Sequence, residues 1–567
     1  MKNKYSKSKY GIRAGAAIIF IVLGLLCGHG YSQTITFNIE YNSNIGPLKP
    51  FREVNIGPDL SKAGYGSMGI REVRTHDYYG PCDYWHYTNG YYNPATSSFN
   101  PSFNPALSGS YTWITSDTMI NRIFDVNAIP YFRLGISFPQ SGIPTIPPID
   151  PNNSTFTTIA SIFKHTAMHY TAGWDNGYTH NIIYWEIWNE PDGMFWTGSN
   201  GTPINYRKMY KTVTDSLKLL NPEFKVGGPG AVASTIVTHN PAYFDNFIKY
   251  CQVNDAALDF YSWHLYGCYN PYSIKNYADT VRYVLDSYGF QDAENHITEI
   301  NPQLGNPLFD NTAKGAAHIA SMLITGQEAP IDKIFWYRGT GLAKLAFPDQ
   351  LGEPRLTFNG LSYQLFNWQE SETTIKMRSS GNQVVNFNFN RDTTNVMALA
   401  SKSVTGDTID VLISNYNSIF SDIEIHIHNT PWLSSDQIKI DQYSISGQPA
   451  SFISSEKNIP GSSNLTILVE DMPSPSVHLL RIHKQNDVGI QSFQNNNPLL
   501  SVFPNPTQNY LIIISTIDAD GIISDASLKH VKRITLKTGE NRINISQLPA
   551  GLYHVKVRNV LRKFMIF

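Results

Sequence analysis

Charge is scarce in this chain. Lys, Arg, Asp and Glu make up only 16% of its 567 residues, and the formal net charge is −2. So balanced a chain offers neither a basic face for nucleic acid nor a polyanionic tail. Cysteine is scarce too, with four residues. Removal of an N-terminal leader would leave Cys82, Cys251 and Cys268, an odd number without ligand-like spacing, so no disulfide framework, metal site or cofactor is expected. The apolar run from Ala16 to Leu26 is too short for a comfortable membrane span, and no stable span is expected.

That run has a different reading. It follows Lys2, Lys4, Lys7, Lys9 and Arg13 and precedes the small and polar residues Gly30-Tyr31-Ser32, the layout of a secretory signal cleaved after Ser32. Cys27 invites a lipoprotein reading, but Leu26 stands where that recognition sequence takes a small residue. Tyrosine is plentiful, at 33 residues, and aromatics reach 13%. Aromatic faces stack on sugar C–H faces and also fill cores, and most of these are expected to do the latter.

The length predicts two to four domains. Residues 33–50 alternate Ile35, Phe37 and Ile39 with polar neighbours, a strand with one buried face. From 51 to 367, short apolar strands alternate with helical periodicities such as Ile159, Ile162, Phe163, Ala167 and Tyr170, or Tyr206, Met209, Tyr210, Val213, Leu217 and Leu220. That alternation predicts an α/β (β/α)8 barrel, somewhat larger than the usual ~250 residues. From 368 to 484 helical patterns vanish and short alternating runs such as Ile423, Ile425 and Ile427 predict a β-sandwich. Residues 485–498 are polar and rich in Asn and Gln, a linker. The last stretch, 499–567, reads as a small all-β unit.

The segment Asn181–Asp192, N-I-I-Y-W-E-I-W-N-E-P-D, stands out. A buried strand feeds polar side chains to its carboxyl end, and Pro191 should stop it with Glu190 extended as the last strand-like position. Downstream, His296-Ile297-Thr298-Glu299-Ile300-Asn301 supplies a second carboxylate at a strand end. Glu294 is its competitor, but it precedes the strand's apolar residue Ile297 and belongs at the other end of the barrel. In S-W-H-L-Y, His264 and Tyr266 share parity and should both face the barrel mouth. By the same parity Glu186 points inward below Glu190, and Arg74 and His76 point inward from G-I-R-E-V-R-T-H-D. Glu186 and Arg74 read as a buried structural pair.

Together Arg74/His76, W-N-E-P, His264/Tyr266, Glu299 and Trp336 with a trailing sandwich resemble glycoside hydrolase family 39, a retaining clan A family that includes β-xylosidases and α-L-iduronidases. The resemblance covers about residues 34–484. It implies Glu190 as acid/base and Glu299 as nucleophile, with Asn189 on the sugar 2-hydroxyl. It further implies His76 and His264 as sugar-binding, Tyr266 as orienting Glu299, and Trp336 as a platform under the sugar. It also suggests that the early strand at 33–50 joins the sandwich. The short first helix and Asn301-Pro302 after Glu299 depart from the family pattern and leave the sugar open. A competing class is a secreted carbohydrate-binding protein on the same scaffold without turnover.

Leu500-Ser501-Val502-Phe503-Pro504-Asn505-Pro506, then Gly539 to Tyr553 and Lys563-Phe564-Met565-Ile566, resemble the C-terminal sorting domain of type IX secretion substrates. Asp518 to Arg533 match poorly. This resemblance implies the type IX machinery as a partner beside the carbohydrate substrate, and a place outside, or on the outer surface of, a Gram-negative cell.

Overall fold

The computed structural model describes residues 34–485 except 79, 94, 97, 138–143, 151–153, 234–235, 237–240 and 382–395. It also describes 500–566 except 504–508, 516–517, 527–528 and 559. The expected leader at 1–32 and nearly all of the linker at 485–498 lie outside the described residues. Among the described residues no helix is long and apolar enough to cross a membrane.

Eight parallel strands close a barrel in chain order: Glu53–Asn55, Glu72–Arg74, Ile129–Leu134, Tyr184–Ile187, Lys225–Val232, Phe260–Tyr266, Glu294–Asn301 and Lys333–Trp336. They are called barrel strands one to eight. The helices between them bury the faces their periodicity marks. In Thr157–Ala172 these are Ile159, Ile162, Phe163, Ala167 and Tyr170, and in Pro203–Leu220 they are Tyr206, Met209, Tyr210, Val213 and Leu217. Thr202 starts the second of these helices by accepting from Asn205 N, and Pro203 occupies the first turn, where its missing N–H costs nothing. The helix after strand one, Lys62–Met68, is short, as its sequence suggests.

Inside the barrel, alternate residues form layers. Tyr131, Phe260 and Phe335 pack together with Tyr184 as the lower apolar layer. Beneath it, Glu294 accepts from Tyr184 Oη at 2.9 Å and His296 Nε2 at 2.8 Å, and from Lys225 Nζ. Glu294 therefore lies at the amino end of the strands, away from Glu299.

The second unit is one hydrogen-bonded sheet of nine strands. Its order is Ser451–Pro460, Gln437–Ser446, Ser476–Lys484, Thr408–Asn415, Val396–Lys402, Ile375–Ser380, Thr34–Pro47, Asp422–His428 and Asn464–Val469. The strand near the N-terminus runs parallel to Asp422–His428 and antiparallel to Ile375–Ser380. Ile35, Phe37, Ile39, Ile413, Ile425 and Ile467 share one core at almost no exposure. A flat sheet cannot close over such a core, so the two layers of this sandwich are joined as one curled ladder. The opposite face of its central strands, Leu399, Leu412 and Leu479, joins the core of the barrel. The helix Phe358–Glu372 runs across residue 367, so the change from helical to alternating pattern at Trp368 falls inside a helix and the sheet begins at Ile375.

The C-terminal unit has a three-stranded sheet, Leu500–Phe503, Tyr510–Ser515 and Gly539–Asn544, and a four-stranded one, His530–Leu536, Ala519–Asp525, Gly551–Val557 and Val560–Ile566. Leu511, Ile523, Leu536, Val555 and Phe564 lie in their shared core. The poorly matching stretch supplies Ala519–Asp525, which pairs with both of its neighbours.

Candidate active site

Strand four ends at Ile187, and the three residues that follow do not continue it. Trp188 and Glu190 take positive φ values of 76° and 39°. This corrects the extended geometry expected for Glu190 before Pro191. The reason is tertiary: Trp188 N–H still makes the ladder bond to Leu134 O of strand three at 2.7 Å, but Glu190 N–H donates to Gly230 O of strand five at 3.1 Å, a partner out of phase with the regular pairing of strands four and five. Trp188 is driven into the core, with its indole N–H on Phe195 O at 2.8 Å, and the Glu190 carboxylate is carried over the barrel mouth.

There it meets His264, whose Nδ1 lies 2.8 Å from Glu190 Oε1 and 3.6 Å from Glu299 Oε2. One ring nitrogen of His264 and one carboxylate oxygen each from Glu190 and Glu299 all lie within 4.8 Å of one another. Tyr266 Oη donates to Glu299 Oε2 at 2.5 Å, and Arg74 Nη1 donates to Glu299 Oε1 at 2.7 Å. Arg74 Nε donates to Glu186 Oε2 at 2.6 Å and Arg74 Nη2 to Asn189 Oδ1 at 2.7 Å. Arg74 is thus a hub for Glu186, Asn189 and Glu299 rather than half of an isolated pair. Asn55, which no sequence signal marks, accepts from Arg74 Nη1 at 3.1 Å and donates to Thr298 O at 2.7 Å.

Each charge has a physical setting. Burial pushes the Glu190 carboxyl up to about 7, with Arg74 opposing and Asp77 adding to the shift. Burial also pushes Glu299 up, against His264 and Arg74. Burial holds His264 down at about 4, so its imidazole is neutral near pH 7. His76 is likewise held well below its usual range by burial and by the Arg74 guanidinium. The Tyr266 phenol is pushed up by burial and by Glu299, which keeps it a donor. Burial disfavours the Arg74 charge, but Glu186 and Glu299 outweigh it.

His76 points inward, with Nε2 3.1 Å from Asp77 Oδ1 and 3.6 Å from Glu299 Oε1. Trp336 does not face the mouth, which corrects its expected place under the sugar. It is 1% exposed, donates its indole N–H to Ala343 O and lies in the core shared with the surrounding helices. Its neighbour Phe335 fills the barrel interior, so parity sends Trp336 outward and Tyr337 inward. Tyr337 packs edge-on against Tyr266 and donates its hydroxyl to Asp77. Neither Tyr337 nor Asp77 was singled out from sequence. The period-2 pattern of F-W-Y allowed Tyr337, whereas Asp77 turns inward only because its φ is +60°.

A divalent cation bound by His264, Glu190 and Glu299 would need ligand bonds near 2.0–2.2 Å. Both Glu299 oxygens already accept from Arg74 and Tyr266, and the guanidinium holds the position that such a cation would compete for. The donor set therefore favours a carboxylate centre assembled for organic chemistry.

Fold and site together define the class: a (β/α)8 barrel with two carboxylates, Glu299 buried and Glu190 partly exposed, brought together at the carboxyl ends of strands four and seven. The sequence profile of "Glycosyl hydrolases family 39" matches residues 88–413, more than half of the chain, and the protein belongs to that family. The profile of "Secretion system C-terminal sorting domain" matches residues 501–566. A β-xylosidase of Geobacillus stearothermophilus is 26% identical over 233 residues, 35% of this chain and 44% of that protein. One from Caldicellulosiruptor saccharolyticus is 25% identical over 166 residues, 28% of this chain and 31% of that protein, so this chain spans less than half the length of either relative. Among solved structures, a glucosidase from Croceicoccus marinus superposes with a TM-score of 0.62 at 20% identity over 80% of this chain and 100% of that one. The GH39 enzyme from Xanthomonas axonopodis pv. citri gives 0.57 at 14% identity over 81% and 99%.

Proposed function

We propose that the protein is a secreted retaining glycoside hydrolase with a β-xylosidase-like substrate. The observation that carries this reading is that one carboxylate oxygen of Glu190 and one of Glu299 lie within 4.8 Å of each other. Double displacement uses carboxylates roughly 5 to 5.5 Å apart, whereas inversion leaves roughly 6.5 to 9.5 Å for a water. Protonated Glu190 gives its proton to the leaving oxygen while Glu299 attacks the anomeric carbon. Ionised Glu190 then takes a proton from the water that cleaves the glycosyl ester. Burial lifts Glu190 to about 7, more than the Arg74 charge lowers it, so Glu190 keeps the proton that an acid needs near neutrality.

The remaining residues serve the same steps. Arg74 and Tyr266 donate to Glu299 and orient it, and the Arg74 charge favours its ionised form against the burial that raises its pKa. Arg74 occupies Asn189 Oδ1, which turns the Asn189 amide N–H toward the sugar 2-hydroxyl. His76 and His264 line the sugar pocket. The names of the relatives divide between xylosidase and glucosidase, and the curated sequence relatives favour xylose. The C-terminal unit would pass the chain to the type IX secretion machinery, placing the enzyme outside, or on the outer face of, a Gram-negative cell.

The test is a panel of aryl xyloside, arabinoside, glucoside and galactoside, with Glu299→Ala beside the wild type. Xyloside turnover is expected to fall by several orders of magnitude in the variant. Added azide should restore part of it and yield a glycosyl azide of opposite anomeric configuration. No release from any substrate would favour a carbohydrate-binding protein, and rescue without that product would remove Glu299 from the nucleophile's place.

A further inference from the structure

The barrel mouth is lopsided. On the side of strands two and eight, His76, Asp77 and Tyr337 are almost wholly buried. On the side of strands four and six, the Glu190 side chain is 17% exposed and Tyr266 37% exposed. A sugar held among the buried residues would therefore send its leaving group out past Glu190 and Tyr266. Three residues beyond Tyr266 stands a second tyrosine, Tyr269, exposed at 36%.

Tyr269 is fixed more firmly than an exposed loop side chain needs to be. Its hydroxyl donates to Gln303 Oε1 at 2.6 Å, which ties the loop after strand six to the loop after strand seven that follows Glu299. Gln303 is itself held, its N–H donating to Asn301 Oδ1 at 2.9 Å and its side-chain oxygen accepting from Asn306 Nδ2 at 2.8 Å. The Tyr269 carbonyl accepts from Tyr416 Oη of the sandwich at 2.6 Å. The preceding carbonyl, of Cys268, accepts from His318 Nε2 at 2.7 Å. Its ring packs against Phe309 at 5.8 Å between centroids. A side chain ordered by two loops and a second domain, yet left facing water, fits a preorganised contact surface, and an aromatic face suits the C–H face of a pyranose.

Resting on the hydrolase reading above, we infer that Tyr269 is the platform of the leaving-group subsite, taking the sugar on the far side of the bond that is cleaved, and that Tyr416 makes the sandwich a positioning part of that subsite. The substrate class that follows is a disaccharide or longer oligosaccharide, with at least one sugar bound beyond the cleavage point.

Two probes separate this from the chemistry: β-xylobiose, whose leaving group is a sugar, and β-xylosyl fluoride, whose leaving group is too small to reach Tyr269. The readout is the ratio of kcat/KM on xylobiose to kcat/KM on the fluoride. Tyr269→Ala should lower it at least tenfold. Tyr269→Phe, which keeps the face, should hold it within about threefold, and Tyr416→Phe should lower it severalfold. Tyr269→Leu preserves the packing on Phe309 and gives the same reading if the alanine variant does not fold. An unchanged ratio in both Tyr269→Ala and Tyr269→Leu overturns the inference while leaving the hydrolase intact. Wild-type enzyme inert toward the fluoride overturns the β-xylosidase reading and takes this inference with it.

Discussion

Arg74 Nη1 lies 2.7 Å from Glu299 Oε1, with the guanidinium wholly buried and its Nε on Glu186 at 2.6 Å. One cation thus serves two acids, one structural and one proposed as nucleophile. Its removal should act on both.

Arg74→Met is expected to destabilise the barrel by about 3 to 5 kcal/mol, because Glu186 is left as an uncompensated buried charge. The double variant Arg74→Met/Glu186→Gln should recover part of that loss in thermal denaturation. Its turnover should stay far below wild type, since Glu299 still lacks its donor. Recovery of activity along with stability would mean that Arg74 acts only on the fold.

The pH dependence follows from Glu190 as the proposed acid. The acid must carry its proton as the leaving oxygen departs, so kcat/KM should fall as pH rises through about 7, the value to which burial lifts this carboxyl. On the acid side activity should fall as Glu299 gains a proton, and the two limbs belong to the pair jointly. His264→Phe replaces the polar ring nitrogen 2.8 Å from Glu190 Oε1 with an apolar edge, which disfavours the ionised carboxyl, so the alkaline limb should move up by about one pH unit. A kcat/KM profile with an unmoved alkaline limb would detach His264 from Glu190.

Trp336 and Tyr337 should separate cleanly. Trp336→Ala removes a core side chain and should cost about 3 to 5 kcal/mol of stability, with KM little changed in the protein that folds. Tyr337→Phe breaks only the bond to Asp77 and should raise KM for aryl xyloside with a small change in melting temperature. The opposite pattern would restore Trp336 as a sugar contact.

Glu294 supplies a control at the other end of the barrel. Burial opposes its ionisation, but His296 and Lys225 outweigh it and hold the carboxyl well below its usual range. Its stabilising share is therefore complete above the unfolded carboxyl pKa of ~4.3 and vanishes as pH falls through the lower folded value. Glu294→Gln should lose about 1 to 3 kcal/mol at pH 7 with turnover unchanged. In denaturant titrations the gap between variant and wild type should narrow below pH 4.

Local pattern made the barrel legible. Apolar runs alternating with 3.6-residue periodicities need no long-range information, and His264 and Tyr266 could be placed because strand parity assigns faces by counting, whereas Glu299 follows the inward-facing Glu294 and His296 out of phase, across a shift of register after Ile297. Counting failed wherever the backbone leaves the strand. Glu190 takes positive φ where its N–H reaches Gly230 O, out of phase with strand five, and Asp77 turns inward on a left-handed residue. Parity also needs an anchor, and without knowing that Phe335 faces in, Trp336 and Tyr337 were interchangeable.

By itself, then, the sequence determined the order of strands and helices, the change to alternating strands and the chemistry available at each strand end, because these depend on neighbours along the chain. Only the tertiary structure decided that Arg74 reaches Glu299, that Trp336 belongs to the core, and that Tyr416 of the sandwich braces the loop carrying Tyr269. Those contacts join residues far apart in the chain, and their geometry is set by how the barrel closes and where the second sheet packs.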